Sequence, residues 1–201
     1  MKKLALLFFC FLVAISLSNT LYAQSVRFGV QAGLTDITGP SGYTNNISDN
    51  GAGFGANFNF GAQARLNLPL IPITPIVFVD YHMLKGSQDI SGVSLKTTQN
   101  ILSAGVEAEY NVLPLPMVKP YVSIEAAYNN FGEFKIEGGG FSETVGSVSR
   151  FGGAIGIGSM ITVLPVIDVD VSLKYHIFNL VGKDSGESNI SAITLDAAFI
   201  F

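Results

Sequence analysis

The chain has 201 residues, of which 48% are hydrophobic, and its 11 Lys and Arg residues are outnumbered by 15 Asp and Glu residues. This length suffices for one sizeable domain, and the acidic balance argues against nucleic acid as a partner. After residue 23 there is no run of about 18 uninterrupted apolar residues, which excludes a transmembrane helix there. A hydrophobic chain of this kind is either an exported protein with a buried core or a transmembrane barrel.

Residues 1–23 have the features of a cleaved signal peptide. Lys2 and Lys3 form a basic start, Leu4–Leu17 an apolar core, and Leu21-Tyr22-Ala23 a cleavage site before Gln24. The apolar core is too short for the alternative, a membrane-anchoring helix. We therefore predict a signal peptide at residues 1–23 and a single domain at residues 24–201.

Strict alternation of apolar and polar residues is the main structural signal. In Ala52–Leu66 every even position is apolar and every odd position is polar or glycine. Successive side chains of a strand point to opposite faces, whereas a helix would distribute these residues around its whole surface. Eight strands with this alternation are predicted: Val26–Leu34, Ala52–Leu66, Ile76–Met83, Gln99–Tyr110, Tyr121–Asn129, Arg150–Val163, Asp168–His176 and Ala192–Phe201.

The connections between the predicted strands alternate in character. Four are long polar loops, at residues 35–51, 85–97, 131–147 and 181–190. The others are short proline-rich turns, LNLPLIPITP, YNVLPLPMVKP and ITVLPVIDVD, which recur about 45 to 50 residues apart. Such a repeat at the level of hairpins favours an up-and-down topology.

The composition of the two strand faces indicates which one lies outside. A lipocalin-like barrel would place the polar face in water, and a transmembrane barrel would place the apolar face in lipid. The polar face consists mainly of Gly, Asn, Gln, Ser and isolated charges, which suits a narrow interior better than a solvated surface. Outward tyrosines near strand ends resemble an interfacial girdle: Tyr81, Tyr110, Tyr128 and Tyr175. The sequence therefore predicts an all-β fold, an eight-stranded antiparallel up-and-down transmembrane β-barrel preceded by a cleaved signal peptide.

Many ionisable residues lie on the predicted inner face. An eight-stranded barrel has an interior about wide enough for side chains alone, and buried charges need partners. We expect a structural polar network, in which Lys174 and Arg65 or Arg27 neutralise some of the carboxylates. Its predicted members are Arg27, Arg65, Asp80, Glu107, Glu109, Glu125, Lys174 and Asp196. The alternative interpretation of these residues is a path for a substrate or for protons.

The export signal, the eight alternating strands and the long loops opposite short turns resemble the small outer-membrane β-barrel family (OmpA/OmpX-like). The resemblance covers the whole mature chain, although the family's girdle tryptophans are absent. It implies residence in the outer membrane, contact with outer-membrane lipid, and recognition by the barrel insertion machinery. The apolar positions before the last residue resemble the family's C-terminal assembly signal, which implies that role for Leu195, Phe199 and Phe201.

No residue pattern indicates catalysis, a cofactor or a metal. His82 and His176 suggest an enzyme, but Asp80 and Ser172 on the same strands are too far along the backbone to form a dyad with them. The paired acids of strands four and seven lack the closely spaced oxygen ligands of a calcium loop. We expect a non-enzymatic structural or surface-interaction role through the loops, with an unidentified extracellular ligand. The alternatives are a small porin, a lipid-modifying enzyme and a soluble exported carrier.

Overall fold

The computed structural model describes residues 25–68, 71–113, 115, 117–164 and 167–201. The predicted signal peptide and its cleavage site lie outside these residues. The described chain is mostly strand: β1 (Ser25–Gly39), β2 (Ala56–Asn67), β3 (Ile73–Ile90), β4 (Val93–Asn111), β5 (Val118–Phe131), β6 (Phe134–Gly138), β7 (Phe141–Val145), β8 (Val148–Leu164), β9 (Ile167–Val181) and β10 (Ser191–Ile200). Among these residues, no helix has the length and apolar character needed to cross a membrane.

Eight of the strands form a closed ring. Each pairs antiparallel with its neighbours in the order β1, β2, β3, β4, β5, β8, β9 and β10, and β10 pairs with β1 again. The closing pair runs from Gly29 opposite Ile200 to Gly39 opposite Ser191. Beyond it, the backbone of Phe28 exchanges hydrogen bonds of 2.8 and 3.0 Å with that of Phe201. Closure leaves the ring without an edge strand, and it confirms the predicted eight-stranded antiparallel barrel.

The ring has two different ends. One end, called here the terminal end, holds residues 25 and 201, at which the described chain begins and ends, and carries the short connections between strands. The opposite end, called the loop end, carries loop 1 (residues 40–55), the β3–β4 turn, loop 3 (residues 132–147) and loop 4 (residues 182–190). Loop 1 contains a helical turn at Ser41–Thr44 and a 3₁₀ turn at Ile47–Asp49.

The apolar face of the barrel strands points outward, as predicted. In β5, for example, Val122 and Ile124 are exposed on the outer wall, whereas Tyr121, Ser123 and Glu125 are buried in the lumen. The same alternation holds along β9 and β10. An outer wall of Val, Ile, Leu and Phe is suited to hydrocarbon, which excludes the lipocalin-like arrangement with its apolar lumen.

The prediction for the start of the second strand was wrong. β2 begins at Ala56, and Ala52 and Phe54 are buried inside the loop end instead of lying on the outer wall. Their backbone N–H groups donate to the carbonyl oxygens of Gly42 and Tyr43 in loop 1. The segment therefore folds back over the lumen, where its apolar residues are covered by protein and not by lipid.

The predicted loops at residues 35–51, 85–97 and 131–147 contain strand segments, and residues 35–39 are the end of β1. Residues 85–97 are the paired ends of β3 and β4, joined by a turn in which Ser91 and Gly92 both have positive φ, as type I′ hairpin turns require. Residues 131–147 include the hairpin β6–β7, which pairs through β6 with β4. Strands that project beyond a bilayer can be polar on both faces, so these segments lack the alternation by which the other strands were predicted.

A charge placed on the outer wall tests the lipid-facing assignment. Val106 lies on β4 midway between outward Tyr110 and Leu102, and Val145 lies in the β6–β7 hairpin beyond the ring; both are 56% exposed. Val106→Arg should destabilise the folded barrel by roughly 2–4 kcal/mol, because the guanidinium would enter hydrocarbon. The measurement is urea unfolding in lipid vesicles. Val145→Arg is the matched control and should have little effect; equal losses from both variants would contradict the assignment.

Candidate functional site in the lumen and at the loop end

Buried ion pairs fill the lumen near the terminal end. Arg65 of β2, with only 2% of its side chain exposed, contacts Glu109 of β4 and lies 2.7 Å from Asp170 Oδ2 of β9. Asp170 also accepts a hydrogen bond of 2.8 Å from the Tyr121 hydroxyl of β5. Arg27 of β1 pairs with Asp168 close to the lumen mouth. The pairs therefore tie together strands that are far apart in sequence.

A second group surrounds one ammonium in the middle of the lumen. Lys174 Nζ donates to Glu107 Oε2 at 2.7 Å and to Glu125 Oε2 at 3.4 Å. Asp80 lies in the same layer and accepts a hydrogen bond of 2.7 Å from the side-chain amide of Gln31. The carboxylate of Asp80 fits there because its neighbour across the β2–β3 pair is Gly61: a Cβ at that position would lie 2.6 Å from the Val79 carbonyl oxygen and would overlap the Asp80 carboxylate.

Gly33 makes a corresponding space for Asp196, which it faces across the β1–β10 pair. With Asp196, every member of the predicted network occupies an inward position, and all except the partly exposed Arg27 are buried. The structure brings Arg65, Glu109 and Asp170 together, and separately Lys174, Glu107 and Glu125. Asp168 and Asp170, which the predicted network did not include, are partners of its two arginines.

Two histidines lie on the loop-end side of the charged layers. The sequence did not predict that they are neighbours. The rings of His82 and His176 are 6.2 Å apart, and each contacts a threonine hydroxyl: Thr35 at 2.7 Å from His82 Nδ1, and Thr194 at 3.2 Å from His176 Nε2. A hydroxyl beside an imidazole can serve as an activated nucleophile. All four side chains are buried, however, and Phe178 packs on both rings with centroid distances of 5.2 and 5.3 Å. Within the described residues, no three His, Asp or Glu side chains are arranged to hold a metal ion.

An apolar cluster, called here the plug, closes the lumen at the loop end. Its core consists of inward residues near the ends of six strands, joined by two residues of loop 1 and one of loop 4: Ile37, Leu84, Ile101, Phe131, Phe178 and Ala192, with Ala52, Phe54 and Ile190. Tyr43 and Phe134 pack against it. The sequence predicted a mainly polar inner face but not the plug, although large apolar residues at inward positions such as Ile101 were a usable signal.

Loop 4 is held over the plug by a group of polar contacts, called here the latch. Arg150 Nη2 lies 2.7 Å from both Asp184 Oδ2 and Glu187 Oε2, and its Nε donates to Glu187 as well. Asn179 donates to Glu187 Oε1 at 2.8 Å and accepts from the backbone N–H of Ile190 at 2.6 Å. Hydrogen bonds from Arg150 and Asn179 lower the pKa of Glu187 from 4.5 to about 2.

A cleft opens outward beside the latch, between loops 1, 3 and 4. Its volume is about 560 Å³, within the range of small-ligand sites. Its lining combines apolar residues, Pro40, Tyr43, Phe131, Val145, Val148 and Ile190, with polar residues, Ser41, Arg150, Asp184, Glu187 and Ser188. The loops, and not the barrel wall, therefore form the concave surface that is open to the outside.

The outward residues singled out from the sequence lie on the barrel wall. Tyr110, Tyr128 and Tyr175 are exposed there, and Tyr81 is half-buried against Phe60, with 5.5 Å between ring centroids. Leu195 and Phe199 of β10, and Phe201 directly after it, are also exposed.

A closed ring of strands, an apolar outer wall and a charged lumen define an integral membrane β-barrel. Residues 7–201 match the outer membrane protein beta-barrel domain family, so the chain belongs to that family and resides in the outer membrane.

Two solved structures illustrate the fold. Neisserial surface protein A (NspA) is 19% identical with a TM-score of 0.56, over 88% of this chain and 97% of that chain. A major outer membrane protein from Thermus thermophilus is 13% identical with a TM-score of 0.57, over 88% of this chain and 100% of that chain. At these identities the likeness concerns the fold alone. No match was found among curated proteins.

Removal of the central ammonium tests the lumen pairs. Lys174→Met should destabilise the barrel by about 3–5 kcal/mol, because Glu107 and Glu125 would remain buried without their cation. Lys135→Met is the control, since Lys135 forms an exposed pair with Glu133 worth less than about 1 kcal/mol. Both free energies of unfolding are measurable in lipid vesicles. A loss no larger for Lys174→Met than for Lys135→Met would show that the lumen pairs do not hold the barrel together.

The latch should weaken only in strong acid. The pKa of Glu187 is lowered to about 2 in the folded state from 4.5, so its contribution is complete above pH 4.5 and is lost as the pH falls toward 2. We expect the Glu187 carboxyl carbon, followed by ¹³C NMR, to titrate well below pH 4.5, with the amide of Ile190 shifting in parallel. In Glu187→Gln the Ile190 shift should be absent. Titration of Glu187 near its ordinary pKa would refute the latch.

Proposed function

We propose that this outer-membrane barrel is non-enzymatic and acts in surface interaction through its extracellular loops. The observation that carries the proposal is the contrast between a lumen filled by paired charges and the plug, and a cleft of about 560 Å³ that opens outward between loops 1, 3 and 4. Binding sites are commonly found on loops that a rigid scaffold positions.

The plug argues against the first alternative, a small channel. Leu84, Ile101 and Ala192 are completely buried across the lumen, and Phe131 and Phe178 pack edge to face at 6.4 Å. Below them, Lys174 and its carboxylates fill the interior with direct contacts. An ion would have to displace both the apolar side chains and the buried ion pairs.

The burial of both histidines argues against the second alternative, a lipid-modifying enzyme. His82 and His176 are the side chains suited to acid–base chemistry, and Phe178 separates them from the extracellular end. A lipid substrate reaches a barrel from the outer wall or from the membrane surface, and the histidines face neither. The geometry therefore supports a structural role for the pair, as hydrogen-bonding partners of buried threonine hydroxyls.

We also propose roles for the outward residues and for the start of the chain. The exposure of Leu195, Phe199 and Phe201 on the last strand supports their recognition by the insertion machinery. The positions of Tyr81, Tyr110, Tyr128 and Tyr175 on the outer wall support an interfacial girdle in contact with outer-membrane lipid. Export would remove residues 1–23 by cleavage near Ala23-Gln24.

The experiment compares cell attachment with conductance. Cells that display the intact protein are compared with cells in which β6–β7 (134–145) is replaced by a Gly-Ser turn, and with a control in which the periplasmic residues Leu113 and Leu115 become serine. Attachment to protein-coated surfaces should fall for the loop variant and remain for the control, with equal amounts of heat-modifiable barrel in the outer membrane.

In planar bilayers the intact protein should give no discrete conductance steps, because the plug and the ion pairs occupy the lumen. Discrete steps from the intact protein would favour the channel. Unchanged attachment of the loop variant would overturn the surface role.

A further inference from the structure

The latch leaves a negative charge in excess at the cleft. Two carboxylates, Asp184 and Glu187, share the single guanidinium of Arg150. Glu187 is engaged by Arg150, by Asn179 and by the backbone N–H of Asp184. Asp184 contacts Arg150 through one oxygen, and its side chain is 86% exposed. The Asp184 carboxylate is therefore directed toward solvent at the lip of the cleft, where it can take a second cation.

Much of the remaining cleft lining is apolar. It includes Tyr43, which packs on Phe54 with 5.7 Å between ring centroids, and the exposed residues Val145 and Val148. A ligand that matches this lining carries both a positive group and an apolar group. A carboxylate or phosphate ligand would be repelled by Asp184 and Glu187, which already occupy the Arg150 guanidinium.

The same chemistry continues outside the cleft along β7. Phe141, Glu143 and Val145 occupy alternate positions of this strand and so share one face, and all three are exposed. An acid flanked by two apolar side chains also suits a ligand that carries both a positive and an apolar group. The complementary surface is thus longer than a small amine and has the period of an extended peptide, whose alternate side chains project to one side.

We propose that the cleft and this face of β7 bind an extended segment of a partner protein in which basic and apolar residues alternate. A lysine or arginine pairs with Asp184, a second one with Glu143, and an apolar side chain between them lies against Val145 and Tyr43. The cleft volume of about 560 Å³ accommodates a few side chains and not a folded domain. This inference rests on the proposed surface role and adds the chemistry of the partner.

The test uses three acetylated and amidated pentapeptides, Phe-Lys-Val-Lys-Phe, Phe-Gln-Val-Gln-Phe and Phe-Glu-Val-Glu-Phe. Binding to the isotope-labelled barrel is followed by NMR in nanodiscs of zwitterionic lipid, so that the lysines are not drawn to the bilayer. The lysine peptide should shift the amides of Val145, Gly146 and loop 4 and should bind more tightly than the others. Asp184→Asn and Glu143→Gln should each weaken it by about two- to fivefold, as expected for exposed ion pairs.

Asp49→Asn is the matched control, because it removes an exposed carboxylate of loop 1 that does not line the cleft. Equal binding of the glutamine peptide, tighter binding of the glutamate peptide, or equal effects of Asp184→Asn and Asp49→Asn would each overturn the assignment. If the lysine peptide does not bind while loop replacement still lowers attachment, the surface role is supported and the proposed partner chemistry is wrong. If attachment is also independent of the loops, the surface role and the partner chemistry are both wrong.

Discussion

Backbone hydrogen bonds between β1 and β10 convert an open sheet into a ring, and in hydrocarbon this closure is obligatory. An N–H or C=O group without a partner costs several kcal/mol where no water can replace the partner. Pairing from Gly29–Ile200 to Gly39–Ser191, extended by Phe28 and Phe201, satisfies the two strands that would otherwise be edges. Once the ring is closed, period-two alternation directs successive residues of the membrane-spanning part of each strand in turn to lipid and to the lumen.

The narrow lumen that results has room for side chains but little else, and its contents follow from that limit. Near the terminal end, the guanidinium groups of Arg27 and Arg65 are matched to carboxylates of other strands. Lys174 is matched to two carboxylates at mid-height, and two threonine hydroxyls pair with histidines closer to the loop end. At the loop end the plug fills the lumen, because Ala52 and Phe54 of loop 1 pack on apolar residues of the strands. With the interior filled, the loops are the part of the molecule that remains available to partners.

Much of this architecture could be predicted from the sequence, since alternation depends only on the neighbours of each residue along the chain. The strand number, the outward face and the inward charges follow from it. The pairing of Lys174 with Glu107 and Glu125 could not, because it depends on the register of β9, β4 and β5 around the ring. The plug was missed because Phe54 has the same alternation as β2 although it precedes the start of this strand at Ala56. The cleft could not be predicted, because it depends on tertiary contacts of three loops. The sequence around Arg150 likewise did not indicate its partners in loop 4.

The absence of tryptophan from the chain permits a direct measurement of which face meets lipid. Leu173→Trp places a single indole on the outer wall of β9, and Phe78→Trp places one inside the lumen next to Lys174. In vesicles of phospholipid brominated at mid-chain, fluorescence of the indole at position 173 should be strongly quenched and that of the indole at position 78 should not. Stronger quenching at position 78 than at position 173, in variants that both fold and migrate as heat-modifiable barrels, would contradict the assignment of the two faces.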